Sequence, residues 1–102
     1  MQDFDLEAMS HHAEAAAGFL RKLANPNRLM VLCALLEGEL SVGELNSRIP
    51  LSQSALSQHL AALRKANIVT TRREAQTIFY RLQGSESVQV LEVLHNIFCH
   101  GK

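Results

Sequence analysis

Tryptophan is missing from this chain of 102 residues, tyrosine occurs once, proline and cysteine twice each, and glycine five times. The scattered glycines form neither a Gly-x-Ser-x-Gly elbow nor a Gly-rich phosphate loop, so the usual scaffolds of nucleophilic and nucleotide chemistry are lacking and no catalytic residue is assigned. Long apolar runs are lacking too. The longest stretch free of polar or charged side chains, Leu29 to Leu36, is far too short to cross a bilayer. Asp3, Asp5 and Glu7 stand where a secretory leader would be basic, and no repeat or low-complexity tract occurs. A single small cytoplasmic domain is expected, with no membrane association and with a surface-to-volume ratio that makes pairing with a second copy useful.

Net charge is the last shortage. Ten basic residues balance ten acidic ones, which taken alone argues against a nucleic-acid binder. Position along the chain argues the other way. Met1 to Pro50 holds four basic and seven acidic residues, whereas Leu51 to Lys102 holds six basic and three acidic. Between Arg48 and Arg81 only Glu74 opposes Arg48, Arg64, Lys65, Arg72, Arg73 and Arg81, so a positive field covers the middle of the chain.

That middle reads as two short helices joined by a tight turn, from Ser41 to Arg64. Ser41 three residues before Glu44 has the spacing of a capping box. Pro50 falls in the turn, where it interrupts no helix. Ser52 can cap the second helix, and Leu51 ahead of it can pack on Leu56 as a hydrophobic staple. Leu56, Leu60 and Leu63 then form the inward stripe, which turns Gln53, Ser54, Ser57, Gln58, Ala61 and Arg64 outward. Such a face is polar but hardly charged. Gln pairs bidentately with adenine and Ser reaches several base edges, while an ordinary solvated helix would carry more Glu and Lys.

After this helix, Ile68 to Glu74 is rich in β-branched residues and Thr77 to Leu82 reads as a second strand, giving a hairpin over about 68–82 with a polar tip. A hairpin behind a recognition helix is a wing, and Arg72 and Arg73 near its tip are placed for phosphates or the minor groove. The candidate DNA-binding set is Ser52, Gln53, Ser54, Ser57, Gln58, His59, Arg64, Arg72 and Arg73.

Helices are expected over about 6–23, 26–37, 41–48, 52–66 and 85–99, giving a mainly α fold with a β-hairpin wing. The second starts at Asn25-Pro26 and looks apolar all round from Leu29 to Leu36, as a central helix would. The last shows Val88, Val90, Leu91, Val93, Leu94, Ile97 and Phe98, more apolar surface than a terminal helix on a monomer should expose. First and last helices are therefore the candidate two-fold interface.

With these elements in order, the chain resembles the ArsR family of winged-helix regulators over nearly its whole length, from about Ala15 to Cys99. The residues that carry the likeness are Leu23-Ala-Asn-Pro-Asn-Arg-Leu, Glu39-Leu-Ser-Val-Gly-Glu-Leu, Leu51-Ser-Gln-Ser-Ala-Leu-Ser-Gln-His-Leu and Glu74-Ala-Gln-Thr-Ile-Phe-Tyr. The resemblance implies a homodimer that binds a palindromic operator in double-stranded DNA. Many members sense metals, but here Ser41 and Gly43 replace the thiolates of the arsenic and cadmium type. Ser85, Ser87, Phe98 and Gly101 stand where the zinc and nickel type has its ligands. Neither a metal nor another cofactor is expected, although His11, His12, His95 and His100 leave a bridging site between subunits open.

Cys33 and Cys99 read in two ways. A free cysteine in a cytosolic domain is most often a small buried hydrophobe, yet Cys99 follows His95 by one helical turn near a helix end that solvent reaches. The chain is most similar to the dithiol-sensing branch of the family, and that likeness implies that oxidants or reactive sulfur species join these two residues. A winged-helix module for protein interaction, and a regulator without thiol sensing, are the alternatives.

Overall fold

The computed structural model describes residues 5–99, and most of its helices start at a residue built to cap them. Helix α1 (Leu6–Leu23) starts under Asp5, whose carboxylate accepts from the Ala8 amide at 3.0 Å, and Arg21 and Lys22 complement its dipole at the far end. At α2 (Pro26–Ala34) the Asn25 side-chain oxygen accepts from the amides of Asn27 and Arg28 at 2.9 and 3.1 Å, with Pro26 in the first turn. This helix stops three residues short of the expected end. Leu35–Glu37 tightens into a single 3₁₀ turn, and Gly38 at φ 140° leads the chain out.

The next element was not foreseen. Leu40–Ser41 forms a two-residue strand, β1, too short to show any alternation. It leads straight into α3 (Val42–Arg48), where the capping box is complete: Ser41 Oγ accepts from the Glu44 amide at 3.1 Å, and Glu44 Oε1 accepts from the Ser41 amide at 2.8 Å. Helix α4 (Gln53–Lys65) follows the Pro50 turn, then the wing strands β2 (Val69–Glu74) and β3 (Thr77–Leu82), then α5 (Glu86–Phe98). The sheet is antiparallel with order β1-β3-β2, so the hairpin is anchored through Leu40↔Tyr80 and Ser41↔Phe79. The chain is thus a winged helix-turn-helix, with five α-helices and a three-stranded sheet among the described residues.

The core draws Leu23 from α1, Val31 and Leu32 from α2, Leu45 from α3, Leu56, Leu60 and Leu63 from α4, Val69 from β2 and Leu91 from α5. Leu51 packs against it from the turn, the place expected of the staple residue. One expectation fails. Helix α2 is not enclosed on every side, since Met30 is 52 % exposed and Leu29 and Cys33 are only half-buried. Among the described residues no further element lies over that side.

The molecule is elongated. Its radius of gyration is 15.3 Å, against about 13 Å for a compact domain of this length. Helix α1 buries only Leu23, leaving Leu6 at 78 %, Met9 at 54 % and Leu20 at 52 % exposed, and α5 shows Val93, Ile97 and Phe98. No helix among the described residues is long and apolar enough to cross a membrane.

Candidate nucleic-acid interface

Helix α4 is oriented by its leucines. Because Leu56, Leu60 and Leu63 are fully buried, the helix has no choice but to present Gln53, Ser54, Ser57, Gln58, Ala61 and Arg64 to solvent, and all six are exposed. Ser52 is exposed as well, but its hydroxyl has a structural task, accepting from the Ala55 amide at 3.1 Å as the helix cap. His59 departs from the rest of the set. Its ring is half-buried and points back at α2, where Nδ1 accepts from Arg28 Nε at 3.1 Å, so a neutral ring carries its proton on Nε2. The partner, Arg28, was not singled out from the sequence. Its other link, Nη1 to the Lys22 carbonyl at 3.3 Å, ties the α1–α2 corner to the recognition helix.

Gln53 and Ser57 share the lining of a cleft of ≈ 510 Å³ with Gln76, Thr77 and Tyr80 of the wing and with Ser41 and Gly43 at the start of α3. The lining carries amides and hydroxyls but no carboxylate, a surface on which a phosphodiester backbone meets donors without repulsion. At the wing tip Ala75 adopts φ 56°, a left-handed conformation that closes the hairpin without glycine.

The two wing arginines differ. Arg73 is exposed and pairs with no carboxylate among the described residues. In Arg72 each guanidinium nitrogen meets a carboxylate. Its Nε donates to both Glu39 oxygens at 2.8 and 3.0 Å, Nη2 donates to Glu39 again, and Nη1 donates to Glu74 at 2.9 Å, while the guanidinium lies 4.5 Å from the centre of the Phe79 ring. These hydrogen bonds from Arg72 hold the Glu39 carboxyl below the usual carboxylate range, with weaker pulls from the charges of Arg72 and Arg81. Glu39 was invisible as a partner, because β1 that places it beside β3 has no sequence signature.

Helix α2 also packs on α5. Cys33 is half-buried there, in a cleft of ≈ 510 Å³ lined by Cys33, Leu36 and Glu37 on one wall and by Glu92, His95 and Asn96 of α5 on the other. Cys99 ends α5 and is exposed, its amide donating to the His95 carbonyl at 2.8 Å. The two thiols are not joined. Burial, and then the nearby negative charge of a Cys99 thiolate, push the Cys33 thiol above its ordinary value. Among the described residues, no three His, Cys, Asp or Glu side chains of one chain gather as a metal-ligand group. His100 lies outside those residues.

A helix-turn-helix whose second helix shows an uncharged polar face, backed by a basic wing, is the architecture of a DNA-binding transcription regulator. The comparisons agree and narrow it. The family model for the bacterial regulatory protein arsR family matches residues 25–71, from the α2 cap into the wing. The transcriptional activator HlyU of Vibrio cholerae serotype O1 is 52% identical over 95 residues, covering 93% of this chain and 88% of that protein. The structure described as reduced HlyU from Vibrio cholerae superimposes with a TM-score of 0.86, covering 91% of this chain and 98% of the other. The transcriptional repressor BigR from Xylella fastidiosa does so with a TM-score of 0.88 at 45% identity, covering 94% and 98%. The chain belongs to the ArsR family of helix-turn-helix transcription regulators, and is not an enzyme.

Proposed function

We propose that the protein acts in the cytoplasm as a homodimer on a palindromic double-stranded operator, and that a covalent link between Cys33 and Cys99 lowers its affinity for that operator. The observation that carries this reading is the seating of Cys33 on α2 against the last turns of α5, the helix that ends at Cys99. Of the expected DNA-binding set, Gln53, Ser54, Ser57, Gln58, Arg64 and Arg73 supply base and phosphate contacts, Ser52 works mainly as a cap, and His59 holds α4 against α2.

The chemistry needs an external oxidant, for which an organic persulfide is the example. One cysteine thiolate attacks the outer sulfur of RSSH and expels the thiol RSH, leaving Cys–SSH. The second thiolate attacks the inner sulfur and expels H₂S, so two protein thiols and RSSH become a disulfide, RSH and H₂S. Peroxide gives the same bridge through a sulfenic acid and two waters. A link between α2 and α5 acts on the dimer because α5 exposes Val93, Ile97 and Phe98, the surface best suited to meet a second copy. A relative solved in a form described as reduced accords with thiols that change state.

Treating the reduced protein with an organic persulfide should yield an intramolecular Cys33–Cys99 link by mass spectrometry and weaken operator binding about 10- to 100-fold. Cys33→Ser and Cys99→Ser should each bind when reduced and stay bound after treatment. Release of DNA by either single variant would defeat the dithiol reading and leave a regulator with another input.

A further inference from the structure

Arg72 is a surface guanidinium with its side chain 47% exposed, yet each of its nitrogens already donates to a carboxylate. Two of its three nitrogens are committed to Glu39 and the third to Glu74, and its plane covers Phe79. The register shows what this side chain spans. Arg72 on β2 is paired with Phe79 on β3, which is paired with Ser41 on β1, and Glu39 immediately precedes β1. Reaching Glu39 therefore takes the guanidinium across the whole width of the sheet, on the face opposite Val69 and Tyr80, which pack on the core.

We propose that Arg72 is a positioning residue that straps the outer wing strand to the N-terminal edge of the helix-turn-helix, and that it sets the angle between wing and recognition helix without touching DNA. The physical case rests on what else restrains the wing. The distal half of the hairpin, from Arg72 to Thr77, is exposed, so hydrophobic packing cannot fix its direction. Pairing of β3 with β1 at Leu40↔Tyr80 and Ser41↔Phe79 anchors the base of the ribbon, but beyond Phe79 only the ladder between β2 and β3 remains, and it leaves the distal half free to swing. A bidentate arginine–carboxylate pair adds a restraint with defined geometry. Its far end, Glu39, lies two residues before Ser41, the residue that caps α3, so the strap joins the wing to the frame that carries α4. Arg73, on the opposite face of the ribbon and with no carboxylate partner among the described residues, is left as the wing's phosphate contact.

Lysine separates the two roles. A lysine keeps the charge and remains a good phosphate ligand but cannot make the bidentate, ring-stacked strap. Arg72→Ala, Arg72→Lys and Glu39→Gln should each weaken operator binding by about fivefold, and Arg72→Ala with Glu39→Gln together should lose no more than either alone. The slope of log affinity against log salt should stay unchanged in all four. Independently of DNA, amide exchange of β3 residues Thr77 to Phe79 in the free protein should accelerate in the same variants, with unchanged thermal midpoints excluding unfolding. A phosphate contact predicts the reverse. Arg72→Ala would flatten the salt slope by roughly one, Arg72→Lys would bind like the parent, and Glu39→Gln would tighten binding by removing a nearby negative charge. Any of those three, or parental affinity and exchange throughout, overturns the strap.

Discussion

Single side chains at this interface divide by the kind of contact they can make. Gln53 and Gln58 are exposed amides on a helix whose depth in a groove is limited only by small neighbours such as Ala61. Replacing either by Ala should cost about 1 to 3 kcal/mol on the operator and almost nothing on unrelated DNA. Arg73→Ala should instead weaken both alike and flatten the salt slope by roughly one. Fluorescence-anisotropy titrations at several salt concentrations measure both. The Glu39–Arg72 pair adds a pH expectation with a fixed sign. Because Glu39 is held below its ordinary value, the pair is intact above the normal carboxylate range and is lost only as pH falls through the lowered value. It therefore contributes no pH dependence near neutrality. Cys33 runs the other way: its raised value keeps it protonated longer, so bridge formation should still be accelerating at a pH where an ordinary thiol has levelled off.

Elements show which local signals survive folding. The caps at Asn25, Ser41 and Ser52 and the leucine stripe of α4 were legible because each is a short-range pattern with one physical meaning. Ser41→Ala should remove one half of the capping box and lower stability by about 1 kcal/mol, whereas Leu60→Ala, at a fully buried site, should cost about 3 kcal/mol; denaturant melts separate them. Strand β1 was not legible, since two residues carry no period, and with it went the partner of Arg72. The apolar run in α2 suggested a helix buried all round, yet Met30 faces out. Composition records that a stretch is apolar and not which neighbours are there to cover it. His59 stands three residues after Leu56 and four before Leu63, at the edge of the buried stripe, so helical spacing turns it inward, while its partner Arg28, 31 residues away in sequence, is supplied by the tertiary fold.

At the scale of the whole molecule, the exposed apolar faces of α1 and α5 are the surfaces on which the proposed homodimer would close, and the outline is elongated. Ile97 and Phe98 are 63 % and 79 % exposed, so charged residues in their place should leave the protomer folded and produce monomers by sedimentation, with operator affinity collapsing because two half-sites are no longer read together. Relatives described as an activator and as a repressor share this outline, and the geometry accordingly speaks to DNA binding and its control more than to the sign of regulation. The proposed switch requires that linking Cys33 to Cys99 move the two recognition helices of a dimer. Spin labels at Ala61, exposed on α4, report that spacing by pulsed electron resonance. The reduced dimer should show one narrow distance near the repeat of a DNA turn, about 34 Å between helices, and the bridged dimer a shifted or broadened distribution together with weakened operator binding. Identical distributions in the two states, with affinity nonetheless lost, would contradict the mechanism.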